Sequence, residues 1–154
     1  SLLGGRPEPL RAVVSRLCLL SPDLKVFGAG PRTVLFTTEA ASAGARRALE
    51  GRADVRVSPA GQVQAATIVS TLAAMGAGRI QVEGGGELLW SFAEEDLLDA
   101  LHVTVCPVLI GGSTAPTPVG GEGFEPGQLR GARLIDCRRE GDEVFLEYGF
   151  HRPA

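Results

Sequence analysis

Cysteine, histidine and lysine are all scarce in this chain of 154 residues. The three cysteines, Cys18, Cys106 and Cys137, lie far apart, and none forms a Cys-x-x-Cys pair. Only His102 and His151 are available to join them, so no metal site is expected. Three lone thiols suit a reducing compartment, and a cytoplasmic protein is expected. Lys25 is the only lysine among 15 basic residues, a bias that carries no chemistry. An excess of positive charge is also missing. The net charge of −3 gives no basic field, so nucleic acid is not an expected partner. No apolar run is long enough to span a bilayer, and no charged stretch leads into an apolar one at the start, so neither a membrane span nor a signal peptide is visible.

What remains is ordinary for a globular protein: 44% apolar and 21% charged residues. Residues 1–154 read as a single domain with room for a core. Leu10–Ser15 reads as a short buried strand, and Ser21-Pro22 as the cap of a single helical turn. Thr33–Thr38 is a strand rich in β-branched residues. Ala41–Gly51 carries good helix formers and stops at a glycine. Asp54–Ser58 is a brief strand. Gln62–Met75 is the clearest helix: Ala65, Ile68, Leu72 and Met75 fall on one face, and Gly76 ends it. Strands and helices alternating in this way predict an α/β fold, with a largely parallel sheet covered on both faces. Leu101–Ile110 reads as one long strand that Pro107 can bend, and Cys106, within this apolar run, reads as a core residue. The glycine- and proline-rich stretch 111–127 reads as a surface loop. Arg133–Arg139 and Glu143–Tyr148 flank Glu140-Gly141-Asp142 as a β-hairpin.

The most informative stretch is Arg79–Leu89. An apolar, β-branched run ends at Glu83, three glycines follow, and a helical period begins at Gly86. That order predicts a strand, a tight turn and a helix N-terminus. Glycine lets backbone approach a ligand closely. The first N–H groups of a helix have no internal partner, and with the helix dipole they suit a phosphate or pyrophosphate. A dinucleotide is the foremost candidate. Three consecutive glycines are looser than the usual dinucleotide fingerprint, and a turn that binds nothing is the competing reading.

Val82-Glu83-Gly84-Gly85-Gly86 opening a helix, then Asp99-Ala100-Leu101-His102-Val103, then Cys106-Pro107-Val108-Leu109-Ile110-Gly111-Gly112, resembles one known family. It is similar to the reductase domain of bacterial riboflavin biosynthesis, the C-terminal domain of the bifunctional deaminase-reductase. The resemblance runs from about Leu10 to Tyr148. It implies a dihydrofolate reductase-like, three-layer α/β/α fold, with a mostly parallel central sheet and a C-terminal antiparallel hairpin. It also implies an NADPH-dependent reductase. Such enzymes open and reduce the ribose of 5-amino-6-(5-phosphoribosylamino)uracil, or of its diamino-pyrimidinone analogue, to the ribityl product. A homodimer is implied as well.

The resemblance assigns roles by position. Gly84, Gly85, Gly86, Glu87 and Leu88 would meet the cofactor diphosphate through backbone N–H groups. Ser15 and Arg16 match the place where relatives hold the adenosine ribose and its 2′-phosphate, and a guanidinium grips phosphate bidentately. Thr37 and Thr38 would stand beside the cofactor groove; the alternative is that their hydroxyls satisfy local backbone. Glu83, at the C-terminal end of a strand, would contact the reacting sugar and shuttle a proton or orient hydroxyls. The alternative for Glu83 is a carboxylate that only accepts hydrogen bonds from the turn. His102 reads as a hydrogen-bonded core or sheet residue, His151 as irrelevant, and Trp90 as packing. Glu94-Glu95-Asp96 reads as the acidic start of another turn.

Relatives also carry an upstream part that includes a Ser-x-Asp-Gly turn and a segment ending Gly-x-x-Thr-x-x-x-Asp-Asp-Pro. Neither occurs here, so the chain is expected to lack the N-terminal third of the family domain. It then reads as part of a longer chain, as one of two segments, or as a paralogue that completes its sheet differently. Standing alone, it is expected to be poorly stable and inactive. Two other functions compete: a reductase of this fold acting on another pteridine or pyrimidine, and a non-catalytic nucleotide-binding or dimerising module.

Overall fold

The computed structural model describes residues 9–150. His151, read above as irrelevant, lies outside them. The chain divides into two compact units, Ser1–Ile80 and Gln81–Ala154.

The first unit is built on a parallel sheet in the order β1-β2-β3, from β1 (Arg11–Val14), β2 (Thr33–Thr38) and β3 (Asp54–Ser58). Every residue of β2 is buried, as expected for the middle strand of a parallel sheet covered on both sides. Leu35 joins Cys18, Phe27, Ala41 and Leu49 in one core cluster, with Val13 and Val55 packed against it. Helix α1 (Ala43–Arg47) starts at Ser42, whose side chain accepts the Ala45 N–H at 3.1 Å. Helix α2 (Ala65–Ala74) buries Ala65, Ile68 and Leu72, the face its sequence period predicts, and Gly76 follows it at φ +94°. The turn predicted after Ser21 is a short 3₁₀ segment, Lys25–Phe27. Asp54 holds the start of β3 by pairing with Arg32 at 2.9 Å and Arg56 at 2.8 Å.

The second unit holds α3 (Gly86–Glu94) and an antiparallel sheet in the order β4-β6-β5, from β4 (Ala100–Val105), β5 (Ala132–Glu140) and β6 (Glu143–Phe150). Gly141, at φ +60°, opens the two-residue turn of the predicted hairpin. A bulge between Leu134 and Asp136 shifts the β5 register. The fold is therefore α/β, with its strands in a parallel and an antiparallel sheet.

Four expectations need correction. Arg79–Glu83 is not a strand, because no described strand offers it a ladder partner, and β propensity alone does not make one. The strand predicted over Leu101–Ile110 ends at Val105. Pro107 lacks the N–H a ladder needs, and the chain turns there with Val108 N–H donating to the Cys106 carbonyl at 2.8 Å. Cys106 is exposed rather than core, and its thiol donates to Glu143 Oε1 at 3.4 Å. That hydrogen bond, then burial, then the Glu143 charge, push the thiol above its ordinary value. Glu94-Glu95-Asp96 ends α3 instead of starting a turn. Asp96 sits at φ +57°, and the bonds Leu97 N–H to Phe92 C=O and Asp96 N–H to Ala93 C=O form a Schellman cap. His102 is a sheet residue as expected, but it lies on the exposed side, opposite Glu147.

Candidate functional site

In the second unit the chain runs from Gln81 through the glycines into α3 without regular structure. The N-cap residue is Gly85, and no side chain caps the helix. Among the described residues, the N–H groups of Gly84, Gly85, Gly86 and Glu87 donate to no acceptor. The first internal bond is Leu88 N–H to Gly85 C=O at 3.0 Å. Four consecutive unclaimed donors at the positive end of a nine-residue helix have the chemistry that suits an anion.

The three glycines are glycine for different reasons. None of them has a positive φ. A Cβ on Gly84 would meet Leu88 Cδ2 at 2.6 Å, the mobile end of a side chain. A Cβ on Gly86 would meet the backbone N of Gly120 at 2.7 Å, so a side chain is excluded there by protein backbone. A Cβ on Gly85 would meet nothing within 4 Å. Neither conformation nor packing within the described residues requires glycine at 85. The open space beside it is where an approaching ligand would need the absence of a side chain.

The segment Thr117–Phe124 lies along α3. Gly120 N–H donates to the Gly86 carbonyl at 3.0 Å, and Gly121 N–H to Glu87 Oε1 at 3.2 Å. Gly121, at φ +72°, packs on Trp90, and the Trp90 and Phe124 rings stand 4.7 Å apart. Arg130 lies 5.4 Å over Phe124 and pairs with Asp96 at 3.0 Å. Sequence reasoning assigned this stretch to a surface loop and missed its attachment to α3. The Gly120-Gly121 pair was the available signal, since a strand of backbone can lie this close only where Cβ atoms are absent. Trp90 packs, as expected. Glu83 is exposed, and its Oε1 accepts a hydrogen bond from Gln81 Nε2 at 2.7 Å.

In the first unit the structure brings Ser15, Arg16, Thr37 and Thr38 together. Ser15 continues the β1–β2 pairing through its N–H to the Phe36 carbonyl at 2.9 Å, and its carbonyl accepts Cys18 N–H at 3.3 Å, closing a turn. Thr37 and Thr38, both fully buried, donate their hydroxyls to the Arg16 carbonyl at 3.2 and 3.1 Å. Thr38 Oγ1 also accepts Ala40 N–H at 3.2 Å. Both threonine hydroxyls are thus committed to backbone. The Arg16 side chain is exposed and makes no hydrogen bond or ion pair with a described residue.

A profile of the RibD C-terminal domain matches residues 4–145. The chain belongs to the RibD C-terminal domain family. Among curated relatives, it is 29% identical over 149 residues to the 2,5-diamino-6-ribosylamino-4(3H)-pyrimidinone 5′-phosphate reductase of Archaeoglobus fulgidus, a match covering 97% of this chain and 66% of the relative. It therefore spans just under two thirds of that protein's length. Among solved structures, a pyrimidine reductase-like protein of Corynebacterium diphtheriae superposes with a TM-score of 0.77 at 18% identity, over 94% of this chain and 62% of the other. The deaminase/5-amino-6-(5-phosphoribosylamino)uracil reductase of Thermotoga maritima superposes with a TM-score of 0.75 at 17% identity, over 97% and 40%. The chain shares the fold of these two proteins. No helix among the described residues is long and apolar enough to cross a membrane.

Proposed function

We propose that this chain is the NADPH-dependent reductase of riboflavin biosynthesis, or its catalytic portion, reducing the ribose of 5-amino-6-(5-phosphoribosylamino)uracil or of the diamino-pyrimidinone analogue. The observation that carries the reading is the run of four unclaimed amides at Gly84–Glu87, beside a glycine at 85 that no contact or dihedral angle requires. Membership of the RibD C-terminal domain family and the name of the Archaeoglobus relative supply the substrate class. The donor set fits a diphosphate: it is backbone N–H, Gly84, Gly85 and Glu87 are exposed with Gly86 half-buried, and no side-chain oxygen caps it.

In this reading the Gly84, Gly85, Gly86 and Glu87 amides seat the diphosphate; Leu88, expected to join them, gives no amide, because its N–H is spent on the Gly85 carbonyl at 3.0 Å. Ser15 and Arg16 receive the ribose and 2′-phosphate, which gives NADPH preference over NADH. Thr37 and Thr38 act through the Arg16 backbone instead of touching the ligand. NADPH, when bound, supplies hydride. Glu83 takes or gives a proton at the sugar as the ring opens, or holds its hydroxyls; its carboxylate is exposed and carries a single hydrogen bond, from Gln81, so it is available for either task. The protein is read as cytoplasmic and homodimeric, and residues 1–154 as one reductase domain. Exposed Val108, Leu109, Ile110, Leu134 and Ile135 favour association through the second unit.

The test is turnover of the ribosylamino-pyrimidine phosphate with NADPH, with Glu83→Gln beside the parent. Loss of turnover with retained NADPH binding supports the role of Glu83. Undiminished turnover removes it, and no turnover by any form that binds NADPH points to another pteridine or pyrimidine substrate.

A further inference from the structure

Glu87 presents a problem for any diphosphate seated on α3. It lies in the first helical turn and carries negative charge where the ligand carries its own. The structure gives it a different task from contact with the ligand. Its Oε1 accepts Gly121 N–H at 3.2 Å, and a Cβ built on Gly120 would come within 2.9 Å of that same oxygen. The carboxylate is therefore turned onto the strap formed by Thr117–Gly121.

The strap in turn lies on the turn backbone. Gly120 N–H donates to the Gly86 carbonyl at 3.0 Å. A Cβ on Gly86 would stand 3.2 Å from the Thr117 carbonyl oxygen, and a Cβ on Gly120 would stand 3.1 Å from the Gly86 carbonyl carbon. Two backbone segments without side chains are locked together, and the lock is closed by one carboxylate. Gly86 gives its carbonyl and its Cα face to this contact and keeps its N–H unclaimed, while Gly85 next to it faces open space.

We propose that Glu87 is a positioning residue: it clasps the strap against Gly86 through the Gly121 amide, and the clasped strap fixes the backbone whose amides receive the ligand. The inference rests on the dinucleotide reading above and gives the missing side chains two reasons, the ligand at Gly85 and the strap at Gly86. Pre-setting the amides avoids an ordering cost at the moment of binding. It also ties the first-turn carboxylate to a donor of its own.

The experiment compares Glu87→Gln with Glu87→Ala in the full chain. Both remove the charge; only the glutamine keeps an acceptor for Gly121 N–H. NADPH affinity is read by fluorescence titration, and exchange of the Gly121 amide by NMR without ligand. The expected result is a protected Gly121 amide in E87Q and a fast-exchanging one in E87A, with NADPH bound about fivefold more weakly by E87A than by E87Q, the worth of one hydrogen bond. If E87A does not fold, Glu87→Met, close in size and lacking the acceptor, takes its place. Equal affinities, or equal exchange of Gly121 in both variants, overturn the inference while leaving the reductase reading intact. A parent chain that takes up no NADPH although its Gly121 amide is protected overturns the reductase reading and leaves the strap a purely structural clasp.

Discussion

The hydroxyl of Thr38 donates to the carbonyl of Arg16 at 3.1 Å, tying the end of β2 to the turn that follows β1. Thr37 reaches the same carbonyl at 3.2 Å. Two buried hydroxyls on one oxygen fix where the Arg16 main chain lies and leave its guanidinium exposed.

Thr38→Val is expected to cost about 1–2 kcal/mol, because it removes one donor to Arg16 and the acceptor for Ala40 N–H. Thr37→Val should cost less, since Thr38 still serves the carbonyl. Urea unfolding of the two variants and of the double variant checks the order. A double variant no less stable than T37V would show that the shared carbonyl does not matter.

Arg16→Ala is expected to weaken NADPH about ten- to a hundredfold while leaving NADH affinity nearly unchanged, as for loss of a charge-assisted phosphate contact. Parallel titrations with the two cofactors measure it. An equal loss for both would move the 2′-phosphate away from Arg16.

Gly85→Ser separates ligand from fold. Serine is a good N-cap, and glycine at that position is only a few tenths of a kcal/mol worse, so the melting temperature should hold or rise slightly. A Cβ there meets nothing within 4 Å among the described residues. The serine oxygen would claim a first-turn amide and fill the open space, so NADPH affinity should fall by about tenfold or more. Calorimetry and titration on one preparation give both numbers.

Cys18 is 1% exposed and sits at φ +56° in the core of the first unit. Burial raises its thiol above the ordinary value, and Arg46 only partly offsets that. The native state therefore keeps the proton to higher pH than the unfolded chain does. The stability this brings is complete below the ordinary thiol value of about 8.5 and is lost as pH climbs beyond it. Cys18→Ala should flatten the alkaline decline in unfolding free energy. A disulfide reagent should label exposed Cys137 quickly, exposed Cys106 more slowly because Glu143 holds its thiol protonated, and Cys18 only as the protein opens.

Much of the local structure was legible because it depends on neighbours in sequence. The bounds of β2 and β3, the buried face of α2 and the start of α3 follow from β-branched runs, helical period and glycine. The hairpin follows from Gly141. What failed depended on distant partners. Val82 and its neighbours have strand composition, but a strand needs a ladder, and composition is silent on which strand stands alongside. Cys106 looked like core because its neighbours are apolar, yet the strand ends one residue before it. Glu94-Glu95-Asp96 looked like a helix start because acids favour that end; the Schellman bonds that make it a stop involve backbone groups that no side chain announces. In the candidate site, the glycine turn stands out by residue type, whereas Arg16 enters only through the family resemblance. That Thr37 and Thr38 serve the Arg16 carbonyl, and that Glu87 serves Gly121, could not, because both pairings join segments more than 20 residues apart.

The most direct measurement is an amide-resolved NMR titration of the ¹⁵N-labelled chain with NADPH. The account predicts that the Gly84, Gly85, Gly86 and Glu87 amide signals move first and furthest, with saturation. Saturable binding that leaves those four signals in place while others move would contradict it.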